Sequence, residues 1–261
     1  ALAAAHPMLA DELGQGALRL LYELQGMLAR ITGLDAVSVQ PAAGAHGELT
    51  GMLIFHAYHR QRGSQRHKIL IPDTAHGTNP ASAALCGFRA VAVPSDERGM
   101  LDPATVAALM DEDTAGIMVT NPNTLGLFEE RIREVADVVH ARGGLVYGDG
   151  AHMNAVLGVL DAGRCGIDVL HLNLHKTFAT PHGGGGPGAG PVCVTAELAP
   201  FLPVPRVVRV GDSFRLDADR PLSVGRIHAF HGNFGVLVRA YSYILTMGEA
   251  GLRGASQLAV L

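Results

Sequence analysis

The sequence predicts an α/β fold, a mostly parallel sheet flanked by helices. Three observations predict it. Short apolar runs alternate with helical stripes from residue 15 to about residue 195. Several runs, such as 117–120 and 169–172, are nearly continuous in apolar residues, as strands covered on both faces are. The residues able to do chemistry follow the ends of these runs, where open α/β sheets collect their ligands.

Each element has its own signal. Leu18, Leu21, Leu24, Leu28 and Ile31 form a helical stripe over 15–31 that Gly33 can end. A short strand is expected at 36–40, a glycine break at 44–47 and a helix from Glu48 to about Arg60. A strand at 68–72, a loop at 73–80, a helix near 81–87 and a strand at 89–93 follow. Asp102 and Pro103 suit the N-cap and first turn of a helix reaching Met110. Next come a strand at 117–120 and a helix at 128–142 with Ile132, Val135 and Val139 inward. Strands are expected at 145–147, 169–172 and 191–195, the last a candidate for antiparallel pairing. Residues 1–200 are thus expected as a large-domain core. Residues 201–261 read as a linker, an arm and the start of a helix leading to a small C-terminal domain beyond the chain. Ala1 is not an initiator Met and Leu261 falls inside a helical run, so a fragment is expected.

Composition narrows the function classes. Of 261 residues, 48% are hydrophobic and 17% charged, which excludes a disordered chain. A net charge of −4 without a basic block argues against a nucleic-acid surface. The three cysteines, Cys86, Cys165 and Cys193, are odd in number and far apart, which argues against a disulfide framework. No apolar run is long enough to span a bilayer, and a cytoplasmic protein is expected. The 13 histidines invite a metal-hydrolase reading, but no His-Glu-x-x-His spacing exists and no metal is expected.

The chemistry centres on Lys176 in Leu172-Asn173-Leu174-His175-Lys176-Thr177. A lysine just after an apolar strand is expected in low-dielectric surroundings, which favour the neutral amine that forms a Schiff base. Alone it is an ordinary surface cation. The run His182-Gly183-Gly184-Gly185-Gly186-Pro187-Gly188 would let backbone lie against a flat ligand or a phosphate. Asp149 ends a strand 27 residues before the lysine. It could pair with the pyridine nitrogen of pyridoxal phosphate (PLP), or simply cap the next helix. His152 follows within reach of the same ring. His76, in Asp73-Thr74-Ala75-His76-Gly77-Thr78-Asn79-Pro80, could stack on that ring or be a plain loop residue. Asn123, in Thr120-Asn121-Pro122-Asn123-Thr124-Leu125-Gly126, could bond the ring oxygen, although Asn-Pro is also a turn signal. Gly44-Ala45-His46-Gly47 opens a helix, a natural phosphate site. The glycine pattern is neither a Walker motif nor Gly-x-Gly-x-x-Gly, which disfavours nucleotide.

Four segments together carry a resemblance: 41–48, 75–80, 120–126 and 171–188. They resemble the glycine dehydrogenase (decarboxylating) family, the P-proteins of the glycine cleavage system, and best subunit 2 of the two-subunit bacterial form. The resemblance implies the aminotransferase-like fold type I, with PLP on Lys176, ring stacking by His76 and pyridine pairing by Asp149. By analogy it implies Asn123 and His152 near the ring oxygen, and Ala45, His46 and His175 near the phosphate. It implies glycine as substrate, the lipoylated H-protein as acceptor, P-protein subunit 1 as partner, and a dimer or heterotetramer. Two alternatives stand beside it: another fold type I enzyme (aminotransferase, lyase or desulfurase), or a non-catalytic structural subunit.

Overall fold

A computed structural model describes residues 9–180, 186–229 and 231–261. Residues 181–185, which hold most of the glycine run, lie outside the described residues.

The first helix, α1 (Gln15–Thr32), buries Leu18, Leu21, Leu24 and Leu28. Gly33 ends it at φ 73°, in the left-handed conformation that glycine takes without strain. Then come β1 (Ala36–Ser38), α2 (Gly44–Gln61), β2 (Lys68–Pro72), α3 (Thr78–Leu85) and β3 (Arg89–Val93). Next are α4 (Pro103–Leu109), β4 (Thr114–Thr120), α5 (Ile132–Ala141), β5 (Leu145–Gly150) and β6 (Val169–Leu172). The one-turn α6 (Leu174–Thr177), β7 (Val192–Val194), β8 (Arg206–Val210), β9 (Ser213–Asp217) and α7 (Phe234–Val260) complete the chain. Gly248, at φ 60°, breaks α7 into two helical stretches.

Strands β1 to β7 form one sheet in the order β1-β7-β6-β5-β4-β2-β3. β2 to β6 run parallel where they neighbour one another, whereas β7 is antiparallel to both β6 and β1. The mostly parallel sheet and the antiparallel strand near residue 193 therefore match the sequence reading. Two buried clusters, one holding Leu21, Val146 and Leu172, the other Phe55, Met118 and Tyr147, share out the alternating side chains of the central strands.

Boundaries shifted where local chemistry prevailed over periodicity. α2 starts at Gly44, four residues before Glu48, because Gly44 and Gly47 pack closely enough to enter the helix. α3 starts at Thr78, with Pro80 in its first turn, where a missing N–H costs nothing. α5 starts at Ile132, since the carboxylate of Glu129 instead accepts from Leu101 N at 2.8 Å and from Asn123 Nδ2 at 3.1 Å. Asp102 caps α4 as expected, accepting from Thr105 N at 3.0 Å.

After residue 201 come an arm and a helix that starts at Phe234. The arm is a β8–β9 hairpin beside α1. Val207 from it and Val236, Leu237, Ala240 and Leu252 from α7 join the core cluster of α1, β4 and β5. Residues 201–261 thus complete the core begun by residues 1–200. Among the described residues, no helix is long and apolar enough to cross a membrane.

Candidate functional site

Neighbouring strands in register build the floor of the site. Asp149 of β5 pairs with His171 of β6. Side chains two apart on a strand share a face, so Tyr147 stands beside Asp149. Tyr147, Asp149 and His171 are at most 1% exposed. The Tyr147 hydroxyl is hydrogen-bonded to His171 Nδ1, and the two rings stack at 24°. Asp149 Oδ1 accepts from Ala151 N at 3.0 Å and lies 3.4 Å from His171 Nε2. That last contact is not aligned as a hydrogen bond. Among the described residues, Asp149 Oδ2 and His171 Nε2 are both buried without a hydrogen-bond partner.

α2 presses on this face through two glycines. A Cβ at Gly47 would lie 2.8 Å from the His171 Cβ, and one at Gly51 would lie 2.4 Å from Tyr147 Cε2. Between them Glu48, 3% exposed, reaches the same corner. Its carboxyl accepts from Thr78 Oγ1 at 2.7 Å and Ser82 Oγ at 3.3 Å. Burial raises its pKa to about 7, and the nearby charge of Asp149 adds to the rise. Glu48, His76 and Asp149 each bring a ligand-type atom within 4.8 Å of the others. Glu48, His171 and Tyr147 were not singled out from the sequence. The available signals were a polar residue inside the apolar strand 169–172 and an acid within the glycine block at 44–48.

Lys176 faces this floor from α6, close enough to act electrostatically on Glu48 and His171. Its side chain is exposed, contrary to the low-dielectric setting expected. The apolar strand stops at Leu172, and α6 carries the lysine out of the core. Asn173, the residue before α6, is buried against Gly44, and its Oδ1 has no hydrogen-bond partner. His175 Nδ1 accepts from Ala189 N at 3.2 Å, which seats it beside the start of α2 and the strand β7.

The remaining expected residues divide. Ala45 is exposed in the first turn of α2. His46, half-buried there, accepts from Ala42 N at 3.2 Å, and burial lowers its pKa. His76 is exposed, its Nδ1 2.7 Å from the Thr78 hydroxyl that also reaches Glu48. His152 donates from Nδ1 to Pro122 O at 3.0 Å, which leaves Nε2 as its second ring nitrogen. Asn123 is bound within its own loop. It is 1% exposed, and its amide bonds Gly99 O, Glu129 Oε1, Leu125 N and Leu127 N. Those four bonds use the donors and acceptors of the side chain within its own loop, so Asn123 shapes the loop instead of reaching a ring oxygen.

These residues fit PLP. Asp149 Oδ2 is an unpartnered buried acceptor, as a protonated pyridine nitrogen requires. α2 begins at Ala43 without a side-chain cap, which leaves its first N–H groups and its dipole for an anion such as a phosphate. A cavity of about 400 Å³ elsewhere, lined by Met27, Ile31, Leu157, Leu252 and Arg253, holds none of these residues.

Known proteins agree with this architecture. The chain is 57% identical over 98% of its length to a protein of Caldanaerobacter subterraneus named "Probable glycine dehydrogenase (decarboxylating) subunit 2". A protein of the same name from Exiguobacterium sibiricum is 58% identical over 98% of the chain. The chain covers 53% and 52% of these two, so it spans about half the length of the curated relatives it matches. Among solved structures, glycine decarboxylase (P-protein) of the glycine cleavage system in inhibitor-bound form overlays with a TM-score of 0.81. It is 24% identical and covers 97% of this chain and 58% of its own. A NifS-like protein overlays at 0.69 with 18% identity, covering 97% of this chain and 64% of its own. The aminotransferase class-V family model matches residues 47–199, from the first turns of α2 to just beyond β7. That stretch spans six of the seven strands of the main sheet and contains Glu48, His76, Asp149, His171 and Lys176, and the chain belongs to the aminotransferase class-V family.

Proposed function

We propose that this chain is the PLP-binding part of a glycine dehydrogenase (decarboxylating), which removes carbon dioxide from glycine and passes the aminomethyl group to the lipoyl arm of an H-protein. The carrying observation is the 57% identity, over nearly the whole chain, to a protein of that name. The site chemistry supports the cofactor.

Bound PLP would supply an electron sink for the bond that breaks. The protein groups supply the rest. The Lys176 amine would anchor the cofactor covalently. The Asp149 carboxylate would accept the ring N–H through Oδ2. The first turn of α2, with Ala45 and His46, and the adjacent His175 would hold the phosphate. His76 would cover the ring face, and His152 Nε2 would serve the ring oxygen. Glu48, with its pKa raised to about 7, takes up a proton near neutral pH. That proton removes a second negative charge from beside Asp149. P-protein subunit 1 is the partner in a dimer or heterotetramer, and the setting is cytoplasmic.

A desulfurase reading requires a reactive thiolate. Burial raises the thiol pKa of Cys86 to about 11 and of Cys193 to about 12, and it also raises that of Cys165. None of the three is poised for that chemistry. The proposal is tested by glycine-dependent exchange of labelled carbon dioxide, with lipoyl carrier and subunit 1 supplied. Exchange dependent on glycine supports it. Exchange driven by another amino acid, with none from glycine, would refute it.

A further inference from the structure

We propose that His171, held by Tyr147, is a positioning residue for Asp149, presenting a ring N–H to Oδ1 and leaving Oδ2 for the cofactor nitrogen. The proposal rests on the PLP reading above and deepens it.

The direction of the chain follows from donor and acceptor chemistry. Tyr147 is fully buried, and burial raises its phenol pKa well above the usual value, so the hydroxyl keeps its proton. Its hydrogen bond is with His171 Nδ1. A protonated phenol donates there, so Nδ1 accepts and a neutral ring carries its proton on Nε2. Nε2 lies 3.4 Å from Asp149 Oδ1. Oδ1 already receives the Ala151 N–H, so Nε2 lies beside the oxygen of the carboxylate that already has a donor. Oδ2 is the buried oxygen without a partner.

The charge state matters as much as the direction. Burial lowers the pKa of His171, against the opposing pull of Asp149, and so favours the neutral ring. A neutral His171 orients Asp149 without cancelling its charge, whereas an imidazolium would cancel it and weaken the hold on a protonated pyridine nitrogen. The groups facing this pair are Tyr147 and Asp149 on β5, Glu48 on α2, His76 before α3 and Lys176 on α6. The in-register pairing of β5 and β6 fixes His171 beside Asp149.

The test has two arms. In the first, ring ¹⁵N NMR is recorded on the histidine-labelled chain without PLP, from pH 6 to 8, with His171 assigned by substitution. The expected signal is a neutral ring protonated at Nε2, shifting toward mixed tautomers in Tyr147→Phe. An imidazolium, a proton on Nδ1, or no change in Tyr147→Phe would overturn the proposal. In the second, PLP labelled at its ring nitrogen is bound to the wild type, His171→Leu and His171→Gln. The protonation midpoint of that nitrogen should fall by about one pH unit, a tenfold change, in His171→Leu. It should recover in His171→Gln, whose amide restores an N–H. Equal midpoints in all three proteins would overturn the role. If the wild type failed to bind PLP, the cofactor reading and this role would fall together, while the first arm would still report the tautomer.

Discussion

Asp149 and Glu48 meet in one buried corner with opposite demands. A carboxylate serves a pyridine nitrogen by its charge, whereas Glu48 beside it is driven to hold a proton. Raising the pKa of Glu48 from 4.5 to about 7 has a signed consequence for stability. A carboxyl whose pKa rises on folding stabilises the fold fully below its unfolded pKa. That contribution disappears as pH climbs through the folded value. Wild type should therefore lose stability between about pH 4.5 and pH 7 relative to Glu48→Gln. The difference should be on the order of 2 kcal/mol, read from urea unfolding at pH 5 and pH 8. Parallel stabilities at the two pH values would argue that Glu48 is ionised throughout. For Asp149, replacement by Asn removes the charge but leaves the shape. Asp149→Asn should still bind PLP and should lose turnover by roughly a hundredfold or more, measured as glycine-dependent carbon dioxide exchange. Near-normal exchange would refute the pairing of Asp149 with the ring nitrogen.

At the scale of elements, α2 works by closeness. Gly47 and Gly51 let an 18-residue helix lie directly on Tyr147 and His171, and its start carries no side-chain cap. Gly51→Ala adds a methyl 2.4 Å from Tyr147 Cε2. Helix propensity favours the change by about 1 kcal/mol, but overpacking typically costs about 1–3 kcal/mol. A net loss of thermal stability is expected, with a weakened Tyr147–His171 bond visible in the same ring NMR. A gain in stability would show that the contact relaxes freely. The sequence made some of these elements legible and hid others for physical reasons. Asp102-Pro103 and the Leu18 to Leu28 stripe are local signals, and the elements formed there. The start of α2 was misjudged because a glycine pair reads as a break unless the surface it packs against is known. His171 could not be paired with Asp149 beforehand, since register between strands is a non-local property. Asn123 carried the right chemistry in a suggestive motif, yet its loop consumes every polar atom of the side chain.

At the scale of the whole molecule, the stretch after residue 201 belongs to the core. The β8–β9 hairpin and α7 cover α1, and α7 buries Leu237 and Ala240 completely. The arm and the helix after it were legible, but the hairpin pairing was not, because β8 and β9 are short, half-exposed and polar in part, with no sustained alternation. Removing a buried anchor here should be felt globally. Leu237→Ala is expected to cost about 2–5 kcal/mol and lower the midpoint of a single unfolding transition. Two separate transitions would instead mean that the hairpin and α7 form an independent unit. All the functional groups, in contrast, come from the segment between α2 and α6, and Lys176 stands exposed above the floor they make.

The most direct measurement is an absorbance spectrum of the purified chain with added PLP, before and after borohydride, followed by peptide mapping. The account predicts a visible band that reduction abolishes, a pyridoxyl mass on Lys176, and no such band in Lys176→Ala. A reduced pyridoxyl group on a different lysine, or an unchanged band in Lys176→Ala, would contradict it.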